Sequence, residues 1–417
     1  MKSERNIARR LIGLMGLIGL MGLWACSSDE TSESPGSQQE LSIGVSAAAV
    51  PYHEAETPSI TRTWPAPTGY SLYDSFNNSY ENFESLNRSN IDLFMTHTGT
   101  LSTPNELHVR LRYSPAPAPS TSLWKLVLPH GVDEKAVFPG DYYAYGFIPR
   151  DAADNATISL LTKENEGDPD PTYADGAVLT IQGLKTVAYN ANVIIGAKEG
   201  DDADNDNGLL AGDFKFRLNT GEHATNYLYF LFDHLCAALV INMQVHADYY
   251  ALRHIKLKKI HVQTATDTEV TKQKVNVTVT LKANDSGANP IQSITYEPTG
   301  DDVSGDYVYA STEGKWIPAS SVEGDGISFL SHFIPHQVTK LIITSTYDVY
   351  DTNTSESPDG NLIRKNCEAT NTISLGKIDR FDVAGRGKRY TINMTINPTY
   401  LYVLSEPDLD NPSVSVE

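Results

Sequence analysis

The sequence predicts an all-β protein built as two tandem β-sandwich domains, with one further strand at the C-terminal end. Three features carry this prediction. Short apolar runs separated by turn residues recur from about Ile91 onward, the spacing of a sandwich rather than of βαβ units. Several runs alternate with a period of two: Val109, Leu111 and Tyr113 fall on the face opposite His108, Arg110 and Arg112. No long amphipathic helical stretch is visible, and many of the 22 tyrosines stand in strand-like segments.

The chain opens on a targeting segment, residues 1–25. Lys2, Arg5, Arg9 and Arg10 form a basic start, and Leu11 to Ala25 is an apolar core too short for an ordinary spanning helix. It ends in "LWAC", which resembles a bacterial lipoprotein box with Cys26 as the lipidated residue; more than one acyl chain would hold the protein stably on a membrane. Residues 26–62 comprise a polar tether, a first strand at 41–50, and a Pro- and Thr-rich loop containing Arg62. Residues 63–214 are expected to form the first domain and 215–397 the second, with 398–417 as a tail. "KVNVTVTL" is among the clearest alternations, with Val275, Val277 and Val279 set against Asn276, Thr278 and Thr280. Short helical turns are expected near "DHLCAAL".

Composition narrows the function. With 417 residues, 40% apolar and 20% charged, the chain is globular. A net charge of -20 repels nucleic acid, so no nucleic-acid partner is expected. There is no G-x-S-x-G, H-E-x-x-H or P-loop, and no carboxylate pair stands out, so neither an enzyme nor a cofactor is expected. The acidic break 198–213 partly mimics a calcium loop, with Asp202, Asp204, Asp206 and Asp213. Asn207 stands where that loop needs glycine, so no metal is expected there. His332 and His336, in an extended "HFIPH", would stand roughly 13 Å apart and could not share one zinc. His234 reads as a hydrogen-bonded core histidine and Cys236 as a buried thiol; a Cys236–Cys367 disulfide stays open.

The two ends fit one mechanism. The tail "TYLYVLSEPDLDNPSVSVE" holds two strand-like pieces, one presenting Tyr400, Tyr402 and Leu404 or Leu401 and Val403, the other Val414 and Val416. Twenty extended residues span about 66 Å, enough to run the length of a neighbouring domain. A cut between Arg62 and Thr63, in an exposed loop, would release the first strand together with the lipid anchor. The open groove would then accept a strand from another copy.

In the order of its elements the chain resembles the fimbrillin A / Mfa-like family of major pilins and related fimbrial lipoproteins from anaerobic Gram-negative bacteria. The matching stretches are the Cys26 box, "TRT" at 61–63, "FPGDYYAYGFIP" at 138–149, "VIIGA" at 193–197, "LFDHLCAALVINMQV" at 231–245 and "GKRYTINMTINPTYLYVL" near the end. The resemblance implies two transthyretin-like sandwiches and export to the outer-membrane surface as a lipoprotein. It also implies processing at Arg62 by an arginine-specific protease and polymerisation with other pilin subunits, 399–416 acting as donor strand. Two other roles stay open: a tip or anchor subunit with adhesive function, and a surface glycan-binding lipoprotein outside fibres.

Overall fold

The computed structural model of the chain describes residues 43–50, 52–54, 90–97, 106–113, 124–127, 140–163, 172–200, 209–218, 226–284, 286–320, 326–351, 360–377, 385–397 and 413–416. In chain order the strands are β1 (Ile43–Ala49), β2 (His53–Glu54), β3 (Ile91–His97), β4 (Glu106–Tyr113), β5 (Trp124–Val127), β6 (Gly140–Ile148) and β7 (Asn155–Lys163). There follow β8 (Thr172–Lys185), β9 (Asn192–Gly200), β10 (Lys215–Leu218), β11 (Asn226–His234) and β12 (Ala237–Val245). A four-residue helix, α1 (Ala247–Tyr250), leads to β13 (Arg253–Ala265), β14 (Lys274–Lys282), β15 (Ile291–Thr299) and β16 (Asp306–Trp316). The last are β17 (Ile327–Phe333), β18 (Lys340–Asp351), β19 (Leu362–Ser374), β20 (Lys388–Asn397) and β21 (Ser413–Val416).

Four sheets pack as two sandwiches. The first pairs an eight-stranded sheet, ordered β10-β6-β3-β4-β5-β1-β11-β9, with a four-stranded sheet, β15-β14-β8-β7. The larger sheet curls until β9 meets β6, where Phe147 pairs with Val193 and Ile148 with Asn192. One continuous core fills the space between the two sheets, including Leu93, Phe147, Leu179, Ile195, Phe230 and Val279. The second sandwich pairs β17-β12-β20, extended by β2 and β21 on the free edge of β20, with β16-β13-β18-β19. Leu239, Ile241, Ile260, Ile343, Tyr347 and Ile392 belong to its core.

Period-two patterning places several of the strands. In β14 the pattern of the sequence becomes alternating burial: Val275, Val277, Val279 and Leu281 point inward, while Asn276, Thr278 and Thr280 are half-buried. In β12, Leu239, Ile241, Met243 and Val245 face the core. The opposite face carries a polar ladder, in which Ser328 donates to Asn242 at 2.6 Å and Asn242 donates to Asn393 at 2.8 Å. At one crossing the backbone approach requires glycine: a Cβ on Gly146 would stand 2.1 Å from the Asp92 carbonyl oxygen of neighbouring β3.

Two sequence expectations need correction. The sheets do not divide at 214/215: β10 and β11 complete the first sandwich, and β14 and β15 belong to it as well. The cause is matching apolar faces, since Val277 pairs with Ile181 and Val279 with Leu179 across β14 and β8. "DHLCAAL" is not helical but a bend at Leu235–Cys236 joining β11 to β12. Its backbone groups are taken by residues just ahead of distant strands β9 and β20: Leu235 N–H donates to Ala191 O at 2.8 Å, and Gly387 N–H to Cys236 O at 2.8 Å.

Candidate functional site

Two neighbouring strands from distant parts of the chain enclose β1. Along its whole length it runs parallel to β11, from Ile43 opposite Asn226 to Ala49 opposite Phe232. On its other side Gly44 and Val45 pair antiparallel with Lys125 and Trp124 of β5. A parallel neighbour cannot be reached by a hairpin, so β1 is an insertion by the chain's N-terminal part and not a continuation of its neighbours. Its last residue, Ala49, and the following Val50 are buried, and Val50 N–H donates to Phe232 O at 2.9 Å.

The chain then crosses to the second sandwich. β2 pairs parallel with the start of β20, His53 opposite Lys388 and Glu54 opposite Arg389. The other end of the same β20 edge carries β21, antiparallel, with Val414 opposite Ile396 and Val416 opposite Met394. Thus a segment from the N-terminal part of the chain and one from near its C-terminal end share one sheet edge. Among the described residues the three parallel pairings between named strands, β1–β11, β2–β20 and β12–β20, all involve a strand from near one chain end.

Between β1 and β2 the chain is held by a buried polar cluster. The His234 ring lies between Asn192 Oδ1 and the Val50 carbonyl, each 2.5 Å from a ring nitrogen. Tyr52 stacks on that ring, centroids 3.6 Å apart and planes 15° apart, and donates its hydroxyl to Asn190 Oδ1 at 2.7 Å. Asp233, fully buried, accepts from Arg386 Nη1 at 2.7 Å and from His234 N–H at 2.8 Å. His332, 5.7 Å from Tyr52, is also fully buried. Burial, together with positive charge at His234 and Arg389, holds the His332 imidazole well below its ordinary value, so it is neutral. Cys236 sits beside the cluster, taking Ala191 N–H on its sulfur at 2.9 Å, and burial pushes its thiol up to about 12. Cys236 and Cys367 are both free thiols, which closes the disulfide question.

Sequence reasoning placed His234 in the core with hydrogen bonds, and that is where it lies. It did not connect His234 to the N-terminal segment, nor single out Asn190, Asn192, Asp233 or Arg386. The available signal was the polar residues inside apolar runs, "LFDHLCAAL" and "YNANVIIGA". Of the other expected site residues, Val414 and Val416 lie on β20 of their own chain. Cys26, Arg62, Thr63, Tyr400, Leu401, Tyr402, Val403 and Leu404 lie outside the described residues, as do positions 201–208 of the acidic break. Among the described residues no group of three or more His, Cys, Asp or Glu side chains could hold a metal ion. No helix there is long and apolar enough to cross a membrane.

Neither a protein-family model nor a curated protein matches the chain. Among solved structures it is similar to a Bacteroides uniformis protein described under cell adhesion, with 10% identity, a TM-score of 0.33, and coverage of 91% of this chain and 98% of that one. It is also similar to a fimbrial protein from Bacteroides vulgatus, with 11% identity, a TM-score of 0.29, and coverage of 90% and 98%. A third is the fimbrial anchor protein Mfa2 from Porphyromonas gingivalis, with 10% identity, a TM-score of 0.23, and coverage of 90% and 97%.

Proposed function

We propose that the chain is a structural subunit of a surface fimbrium, displayed on the outer membrane through a lipid at Cys26 and assembled by strand exchange. The observation that carries this reading is the position of β1, enclosed by β5 and β11 yet N-terminal to Arg62. Cutting after Arg62 severs β1 and β2 from the rest of the chain. Their departure opens a slot between β5 and β11 and bares the start of the β20 edge. Rows of unpaired N–H and C=O groups recruit a replacement strand, and backbone hydrogen bonds supply the affinity. The tail of the next copy, from Tyr400 onward, is the replacement. In the single chain its last piece, β21, pairs with β20 over only four residues. So short a two-stranded contact is a weak hold that a longer pairing in a neighbour outcompetes.

The test is digestion of the full chain with an arginine-specific protease, followed by N-terminal sequencing and unboiled gel electrophoresis. A new terminus at Thr63 with a ladder of polymers is expected, together with loss of the ladder on deletion of residues 399–417. A ladder that survives that deletion overturns donation by the tail.

The seating of β21 on its own β20 favours one second reading: a terminal subunit, tip or anchor, whose tail is satisfied within its own chain and is never donated. Labelled protein found only at fibre ends would select it, and label along the fibre length would reject it.

A further inference from the structure

We propose that His234 is a proton-dependent clamp on the N-terminal segment: β1 and β2 stay seated only while this buried imidazole carries both of its protons. The inference is independent of fibre assembly and stands or falls on the single chain.

Hydrogen-bond inventory carries the argument. A neutral imidazole has one donor and one acceptor nitrogen, whereas the cation has two donors. Nε2 faces the carbonyl oxygen of Val50, which can only accept, so Nε2 must donate. Nδ1 faces Asn192 Oδ1. The orientation of that amide is fixed by its other end, where Nδ2 donates to the Asn190 carbonyl at 3.1 Å. Turning the amide over would set two acceptor oxygens against each other, so Oδ1 stays toward the ring and Nδ1 donates too. Two donor nitrogens define an imidazolium.

The surroundings bear on that charge from every side. The Tyr52 ring face, stacked 3.6 Å away, favours a cation. Asp233, whose carboxylate receives the His234 backbone N–H, offsets the charge, while Arg386 on the same carboxylate opposes it. His332 is neutral and adds none, and Cys236, with its thiol pushed up to about 12, remains protonated.

The link to the segment is direct, because Val50 and Tyr52 both lie in the short stretch between β1 and β2. Loss of the Nε2 proton leaves the Val50 carbonyl facing a lone pair. Loss of the Nδ1 proton does the same to Asn192 and, through it, loosens the turn that holds Asn190 under the Tyr52 hydroxyl. The two acceptors favour the charged ring, whereas its full burial disfavours it. The clamp is closed while the ring is charged and opens as rising pH removes one of its protons. A hydrogen bond to a charged group is worth about tenfold to a hundredfold in such an equilibrium.

The test uses the full chain. Hydrogen exchange of residues 43–54, corrected for intrinsic rates, is followed from about pH 5.5 to about pH 9. Protection is expected to fall tenfold or more on going up in pH, while β14, in the same sandwich, stays constant. His234→Gln, which keeps one donor but cannot titrate, should flatten the profile. Nitrogen-15 spectra of histidine-labelled wild-type protein at about pH 5.5 should show the cation signature at the one resonance assigned to His234. A neutral tautomer in that spectrum, or protection of 43–54 that follows β14 at every pH, overturns the proposal. The wild-type spectrum decides even if the variant does not fold.

Discussion

Replacing Val45 with proline should selectively unseat the N-terminal segment. Val45 is one of two β1 residues with partners on both sides, Leu228 of β11 and Trp124 of β5. Whichever way its N–H points, it points at a neighbouring strand, so proline deletes a ladder bond in either case. Proline inside a paired strand also sets its ring against the adjacent backbone, and the combined cost is about 3 kcal/mol. Because β1 is held at one end of the chain, that cost falls on local opening rather than on global unfolding. At 1.4 kcal/mol per decade, opening of 43–54 becomes about a hundredfold more frequent. Hydrogen exchange on that peptide reads the change directly, with β18 as an internal reference. Val45→Ile, which keeps the N–H, should stay within about 1 kcal/mol of wild type. Protection of 43–54 in Val45→Pro within twofold of wild type would refute the idea that β1 is an integral, doubly paired strand.

Other substitutions probe the frame around that segment. Arg386→Met leaves the fully buried Asp233 carboxylate without its cation and should cost about 3–5 kcal/mol, read from urea midpoints. Gly146→Ala drives a methyl to within 2.1 Å of the Asp92 carbonyl, and a thermal melt should show a loss of about 1–3 kcal/mol or more. Leu179→Ala, which empties a fully buried site in β8, should cost about 2–5 kcal/mol in the same assay. Cys236, buried and with its thiol raised to about 12, should resist thiol reagents in native protein at about pH 8 and react at once in denaturant.

Most strands were readable because their two faces differ. "ELHVRLRY" and "KVNVTVTL" show period-two alternation, and they became β4, with Val109 and Leu111 buried, and β14, with Val275, Val277 and Val279 buried. The partnership of strands was not readable, because it depends on which apolar faces match at long range. β14 lies more than ninety positions from Ile181 and Leu179, yet pairs with them. For the same reason a boundary at 214/215 looked natural along the chain and is not one in space. The site was half legible. A first strand that could leave was inferred from its place before Arg62. The clamp behind it was not, because His234, Tyr52, Asn190 and Arg386 come from four separate stretches and meet only through folding.

The parallel seat of β1 also sets a schedule for folding. Synthesis delivers the N-terminal residues first, but β5 begins at Trp124 and β11 does not end until His234. Nothing can receive residues 43–49 on both sides until more than half of the 417-residue chain has emerged. Closing so large a loop is slow, and it can only follow the local hairpins, whose loops are short. The segment that is made earliest is therefore fitted among the last, into a framework whose other strands have already found one another.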